Sequence, residues 1–158
     1  MLHKILNFFE TALAKEEESP QALKHKLHLA TAAILLEVAA IDNHTTKSES
    51  ELIDKLLKDR LQLEEAEILQ LKSMTLEELE SATDYYQFTS LINQHYDMEE
   101  RYNIIENLWQ IAAVDGKIDS HEEHFIRKIA DLLFVPHSSF IKAKLAAQDK
   151  LAVQERHQ

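Results

Sequence analysis

The stretch IAAVDGKIDSHEEHFIRKIADLL, residues 111–133, decides the fold. An apolar helical run ends at Val114, and a second amphipathic helix begins after a short polar loop. That loop contains Gly116, the only glycine in the 158 residues. Glycine adopts a left-handed backbone at little cost, and a left-handed residue commonly follows the end of a helix. The stretch therefore predicts a helix–loop–helix unit in which Gly116 has a positive φ.

The same pattern occurs earlier in the chain, as VAAIDNHTTKSESELIDKLLKDRL at residues 38–61. Asp42 corresponds to Asp115, and Asn43, the next best residue for a left-handed position, takes the place of Gly116. The register slips by one residue after about position 60. The residues that match at the offset set by Asp42 and Asp115 are Leu35/Leu108, Ala39/Ala112, Ala40/Ala113, Glu49/Glu122, Ile53/Ile126 and Lys55/Lys128. We interpret this as a duplicated unit, over about 28–72 and 98–145, because two copies are too few for a solenoid.

The second copy also carries a recognisable order of residues, namely Ala112, Asp115, Gly116, Ile118, Glu122 and Ile126. Late in an acidic, all-helical chain, this order resembles the TerB-like family, which is named after bacterial tellurite-resistance determinants. The resemblance implies an all-α, cytoplasmic, bacterial protein linked to tellurite and other stress. It also implies acidic loop residues suspected of binding divalent metal. The first copy departs from the pattern at Asn43, Thr45 and Thr46, which argues against a symmetric two-site role.

The composition favours a single helical domain over residues 1–158. Hydrophobic residues make up 45% of the chain, whereas one glycine and two prolines leave few interruptions to long helices. Cysteine is absent, which excludes disulfides and cysteine metal sites and agrees with a reducing cytoplasm. The longest apolar run, residues 29–41, contains Glu37 and is too short to span a bilayer. No signal peptide pattern appears at the N-terminus.

The charge balance limits the partners that the chain can take. The formal net charge is −11, from 28 acidic and 17 basic residues. Nucleic acid and anionic membrane both need local positive potential, so neither is an expected partner. Direct, tight binding of the tellurite anion is disfavoured for the same reason. A cation or a basic protein is the natural partner, although the charge also serves to keep a helical protein in solution.

Helical periodicity runs through the whole chain and no strand alternation interrupts it. We expect an all-α fold of seven or eight helices, with two pseudo-symmetric helix–loop–helix units and the helices at 20–41 and 98–114 in the centre. Ser19, Thr46 and Asp97 are expected N-caps, and Thr75 is expected to start a short acidic helix. The eight main expected helices cover about 2–15, 20–41, 47–60, 64–73, 84–96, 98–114, 120–134 and 137–149, and the short acidic helix covers about 76–82.

The acids of the two loops admit two interpretations. Asp115, Asp119 and Glu122 lie within eight residues, and hard divalent cations prefer several carboxylate and carbonyl oxygens. Asp42 and Glu49 take the corresponding positions in the first copy. The structural alternative is that Asp119 and Glu122 form a capping box while Asp115 braces the turn. The segment is not an EF-hand, because Lys117 and Ile126 stand where oxygen ligands belong.

Other chemistry has less support in the sequence. His121/His124 and His25/His28 are pairs one helical turn apart; each pair needs further ligands to bind zinc and otherwise forms a solvated polar face. The absence of any Glu-x-x-His sequence excludes a di-iron bundle. Nucleophilic catalysis lacks a cysteine or a Gly-x-Ser-x-Gly elbow. The aromatic residues Tyr85, Tyr86, Phe88, Tyr96, Tyr102 and Trp109 are interpreted as core and inter-helix packing rather than a ligand cage.

These observations favour a non-catalytic, stress-associated interaction module over an enzyme. Its expected partner is a protein whose identity the sequence does not specify, and its expected cofactor, if one binds, is a divalent cation at the acidic loop residues. The alternative is a metal-dependent enzyme that uses the acids of both loops. The two hypotheses differ in one structural requirement: an enzyme needs a metal with a free coordination position beside a concave pocket.

Overall fold

A computed structural model describes residues 19–41, 46–77, 85–114 and 116–156 of the chain. These ranges form seven α-helices and contain no strand, so the all-α prediction is confirmed. A π-helical turn, Leu56–Arg60, directly continues the second helix. The predicted lead helix at 2–15 lies outside the described residues. The helices are α1 (Pro20–Ala40), α2 (Lys47–Lys55), α3 (Glu65–Glu77), α4 (Tyr86–His95), α5 (Met98–Ala113), α6 (Ser120–Leu132) and α7 (His137–Arg156).

Local capping explains where several helices begin. The Ser19 side chain accepts a hydrogen bond from the Ala22 amide at 3.0 Å, with Pro20 in the first helical position. Thr46 caps α2 in the same way, because its hydroxyl oxygen accepts from an amide of the first turn. Asp97 and Glu100 form a reciprocal capping box at the start of α5. All three predicted N-caps are therefore confirmed.

Two helix ends differ from the sequence prediction. Helix α3 continues through Thr75, where a new helix was expected to start, and reaches Glu77. Residues 71–77 contain no glycine or proline, so nothing forces the backbone into the extended conformation that an N-cap needs. Helix α7 extends beyond the expected residue 149 to Arg156. An ion pair of 2.9 Å between Lys150 and Glu106 holds this part of α7 against α5.

The core is built around α1 and α5, as predicted. Helix α1 packs against α3, α4, α5 and α6, and its second half is buried on all sides. Helix α5 packs against α1, α6 and α7. Its Trp109 is 0% exposed and donates from its indole N–H to the carbonyl of Phe140 at 3.1 Å, which ties α5 to α7. Within the described ranges, no helix has both the length and the apolar character that crossing a membrane requires.

The helix boundaries repeat along the chain. The ends of α1 and α5 are separated by the same offset as Asp42 and Asp115, and so are the starts of α2 and α6. The starts of α3 and α7 follow the same repeat with a slip of one position, so each unit contains three helices rather than two. The contacts repeat as well, because α2 packs against α5 while α6 packs against α1. The order of helices, their boundaries and their contacts all agree with two pseudo-symmetric units.

The π-helical turn explains the slip of one residue in the repeat. The Leu61 amide donates to the carbonyl of Leu56, five residues back, at 3.0 Å. At the equivalent point of the second unit, the Leu133 amide donates to Ile129, four residues back, at 2.9 Å. A π turn holds one residue more than an α turn of the same length. The first unit therefore contains one extra residue without losing its helical direction.

Candidate functional site

The loop between α5 and α6 has the backbone that its glycine predicted. Gly116 has a φ of 89°, and its amide donates to the carbonyl of Ala113 at 2.9 Å. A Cβ atom added at Gly116 would meet no other atom within 4 Å. The need for glycine here therefore comes from the left-handed backbone and not from lack of space.

The described acids of this loop stabilise the start of α6. Asp119 accepts a hydrogen bond from the His121 amide at 2.7 Å, and Glu122 accepts one from the Asp119 amide at 3.3 Å. Together they form a capping box, in agreement with the structural interpretation. Glu49 holds the same position in α2 as Glu122 holds in α6, and both glutamates are almost fully buried. Both units therefore begin their second helix with a capping side chain and a buried glutamate three residues later.

The cation hypothesis depends on residues that are not described. Asp42 and Asp115 lie outside the described ranges, so the predicted set Asp115, Asp119 and Glu122, with Asp42 and Glu49, is only partly placed. Among the residues that are placed, no three or more histidine, aspartate and glutamate side chains form a group that could hold a metal ion. The cation site stays a prediction. Any ion bound there would share Asp119 and Glu122 with the helix cap.

The two histidine pairs lie in different environments. His121 and His124 are exposed on α6. His25 pairs through Nε2 with Oε2 of Glu67 at 2.7 Å and thereby links α1 to α3. His28 is partly buried, and its burial, aided by the nearby Lys24, lowers the pKa of its imidazole. The pair on α1 thus takes part in packing between helices.

With the duplicated units and their loops placed, the chain can be compared with known families. The family model of the Tellurite resistance protein TerB matches residues 28–145. The chain belongs to the TerB family. The match begins within α1 and ends within α7, so it takes in both three-helix units. The comparison with curated proteins gives no match, and neither does the comparison with solved structures.

A second feature of this TerB chain was not expected from its sequence. Tyr86 on α4 and Phe134 after α6 are 67% and 70% exposed. Between them lies a groove of about 290 Å³ whose wall includes Asn93, Asp131 and Leu132. Asn93 donates from its side-chain amide to the carbonyl of Leu132 at 2.8 Å, which fixes α4 against α6. We call this surface the aromatic groove.

The aromatic groove corrects one interpretation and adds a residue that sequence reasoning missed. The prediction of buried aromatic residues is confirmed for Tyr85, Phe88 and Trp109 but is wrong for Tyr86. Tyr86 follows the buried Tyr85 directly, and neighbouring residues on a helix point to different sides. Phe134 was not singled out, although it follows the end of α6 and precedes Pro136 by two residues, a place where the backbone commonly turns left-handed.

Proposed function

We propose that this TerB-family chain is a non-catalytic, tellurite resistance-like interaction module that acts in the cytoplasm and binds a protein partner through the aromatic groove. Family membership supplies the link to tellurite. The absence of cysteine from the sequence is in keeping with a reducing compartment. The observation that carries the proposal is the pair of exposed aromatic side chains on either side of the groove, Tyr86 and Phe134.

Phe134 is unusual both in its backbone and in its exposure. Its φ is 58°, and a left-handed backbone costs a residue with a side chain about 1–2 kcal/mol relative to glycine. Burial of the ring would offset that cost, but the side chain is 70% exposed. Neither backbone preference nor core packing therefore favours phenylalanine here. Exposed aromatic residues beside a concave surface are typical anchors of protein interfaces.

The charge of the surroundings indicates the kind of partner. Asp131 lies in the wall of the groove, on a chain with a net charge of −11. A basic segment would be steered towards this surface and an acidic one repelled. The proposed partner therefore presents an apolar or aromatic side chain to Tyr86 and Phe134, next to a lysine or arginine that faces Asp131.

Tellurite tolerance of the source cell tests the proposal. Deleting the coding sequence should lower the tellurite concentration that the cell survives, and the unaltered chain should restore it. Phe134→Gly and Tyr86→Ala should fail to restore tolerance while the purified variants still fold. Leu145→Ala is the matched control, because Leu145 is also a largely exposed apolar residue, on α7, at 57% exposure.

Two outcomes would count against the proposal, in different ways. Full restoration by Phe134→Gly together with Tyr86→Ala would show that the aromatic groove has no part in the function. Unchanged tolerance after deletion would remove the link to tellurite, whatever the groove binds. Circular dichroism melts of every variant separate loss of binding from loss of folding.

The cation prediction and the enzyme alternative remain beside this proposal. A divalent cation at Asp115, Asp119 and Glu122 is compatible with an interaction module, since a bound ion would also stabilise the loop. A metal-dependent enzyme would in addition need an open metal position and a turnover that chelation abolishes. Rates measured with and without chelator distinguish the two.

A further inference from the structure

A small polar pocket lies where the π-helical turn meets α1 and α5. It has a volume of about 120 Å³ and shares no residue with the aromatic groove. The polar side chains that line it and carry the argument below are His28, Arg60, Tyr96, Glu100, Asn103 and Asn107. We call it the polar pocket.

The arginine of the polar pocket is held in place before any ligand arrives. Arg60 donates from Nη1 to Oδ1 of Asn107 at 3.2 Å, and Asn107 is 4% exposed. Tyr96 and the buried Thr31 form another part of the wall. A guanidinium fixed by a buried amide loses less freedom on binding than one that is free in solvent.

The π-helical turn is what brings Arg60 to this pocket. Arg60 is the last residue of the turn, in the part of the first unit that contains the extra residue. The second unit has no such insertion. The residue that follows α6, the apolar Leu133, stands there in place of both Arg60 and Leu61. π turns inside helices frequently occur at functional sites, because they redirect a side chain without breaking the helix.

The polar pocket combines one fixed positive charge with one fixed negative charge. Arg60 and Glu100 are both exposed, whereas the remaining polar groups, apart from His28, are uncharged amides, a phenol and a hydroxyl. Burial lowers the pKa of His28, so its imidazole is neutral near pH 7. Glu100 is oriented by its capping box, in which Oε1 accepts from the Asp97 amide at 3.1 Å. The pocket therefore suits a ligand that carries both charges and no net charge.

We propose that the polar pocket binds a small zwitterionic amino acid, with the ligand carboxylate on Arg60 and the ligand ammonium on Glu100. The pocket volume corresponds to about four water molecules at liquid density and is below the roughly 300 Å³ of sites for larger ligands. Glycine, alanine and serine are of this size. A ligand without net charge also avoids repulsion by a chain of −11, which an anion such as phosphate would meet.

Isothermal titration calorimetry with glycine, alanine and serine tests the proposal on the intact chain. At least one of them should bind with a dissociation constant below about 1 mM, a reasonable strength for so few atoms. Acetate and ethylamine, which each carry one of the two charges, should bind at least about ten-fold more weakly. Tryptophan should bind more weakly than the best of the three, because the polar pocket has room to enclose only a small side chain.

Variants locate the binding to this pocket. Arg60→Ala and Glu100→Gln should each weaken amino-acid binding at least about ten-fold, since each removes a charge-assisted hydrogen bond. Glutamine still completes a capping box, so Glu100→Gln keeps the start of α5. Lys58→Ala and Glu99→Gln are matched controls, because they remove the same charges from exposed neighbours on the same elements and should bind like the parent. Backbone NMR shifts should concentrate at Tyr96 and Ile104.

Four results would overturn the proposal. One is that none of the three amino acids binds. Another is that acetate or phosphate binds as tightly as the amino acids, which would define a simple anion site. The third is that tryptophan binds as tightly as the small amino acids, which would show that the site does not select a small ligand. The fourth is that the NMR shifts concentrate around Tyr86 and Phe134, which would place the ligand in the aromatic groove.

Discussion

The two three-helix units of this TerB chain are alike where structure requires it and different where a ligand or partner could be met. Their helix boundaries, their capping residues Thr46 and Asp119 and their buried glutamates Glu49 and Glu122 coincide. The last turns of their second helices differ, because α2 of the first unit continues into a π turn whereas α6 of the second unit does not. The comparison teaches that the shared residues form the scaffold. The two surfaces that differ, the polar pocket and the aromatic groove, lie at the ends of the second helices.

The same comparison applies to one residue on each central helix. Arg101 of α5 donates from Nη1 to the carbonyl of Leu133 at 2.8 Å and thereby covers the end of α6. His28 of α1 occupies the equivalent position and lies with Leu61 in the wall of the polar pocket. Each unit thus places a side chain of its central helix beside the end of its second helix. The shorter histidine leaves room beside it, and the polar pocket of the first unit lies there.

The largest expected effect comes from removing an equivalent core residue from each unit. Leu35 and Leu108 match in the repeat and are almost fully buried. Leu35→Ala and Leu108→Ala should each lower the free energy of unfolding by about 2–5 kcal/mol, through lost burial and a new cavity. Urea denaturation measures this, with the exposed Leu145→Ala as a control that should change little. A large loss at one site and almost none at the other would show that the units do not share one cooperative core.

Gly116 should give the next largest effect. Gly116→Val should lower the free energy of unfolding by about 1–2 kcal/mol, because a β-branched residue is strained at positive φ. Space is not the cause, since nothing lies within 4 Å of the added Cβ. Gly116→Asn should cost less, as the asparagine at position 43 of the first unit suggests. If thermal and urea melts gave Gly116→Val the same free energy of unfolding as the parent, the requirement for a left-handed residue at position 116 would be refuted.

Gln62 and Phe134 give a smaller effect of opposite sign. Among the described residues, they are the non-glycine positions with positive φ, at 56° and 58°. Replacing either by glycine should raise the free energy of unfolding by about 0.5–1 kcal/mol, because the relief of strain exceeds the added entropy of the unfolded chain. If the aromatic groove binds the partner, the two variants should differ in function although not in stability. Cells with Phe134→Gly should lose tellurite tolerance, and cells with Gln62→Gly should keep it. Destabilisation by both substitutions would contradict the strain argument.

Most of the fold could be predicted from the sequence because it is set by local signals. Helical periodicity, the caps Ser19, Thr46 and Asp97, and the single glycine act within one or two turns, and all were recognised correctly. The start of a helix at Thr75 was predicted wrongly, because a capping box is a weak signal when no residue nearby interrupts the preceding helix.

The surfaces could not be predicted in the same way, because they depend on residues that are distant in sequence. Arg60 and Asn107 are 47 positions apart, and Tyr86 and Phe134 come to line the same groove only through the packing of α4 on α6. One signal was nevertheless present: the slip of the repeat near position 60 marked the π-helical turn. Read as an insertion in one copy of a duplicated unit, that slip locates the turn whose last residue, Arg60, lines the polar pocket.

The smallest expected effect concerns the cation prediction, and it sharpens the comparison between the two loops. The second loop offers Asp115, Asp119 and Glu122, whereas the first has Thr46 in place of Asp119. Calcium, magnesium or manganese should therefore stabilise the chain mainly through the second loop. By mass action, a cation at a concentration equal to its dissociation constant adds about 0.4 kcal/mol to the free energy of unfolding. Asp115→Asn should reduce the resulting rise in melting temperature more than Asp42→Asn does.

The titration needs constant ionic strength, so that screening of a chain with a charge of −11 is not mistaken for binding. His121→Ala is the control, because the imidazole is a poor ligand for hard cations and the His121 backbone amide still completes the cap on Asp119. Equal losses in Asp115→Asn and Asp42→Asn would instead favour a symmetric role for the two loops. Melting curves that none of the three cations changes would leave Asp119 and Glu122 as capping residues alone, because a site that binds only the folded state must shift its stability.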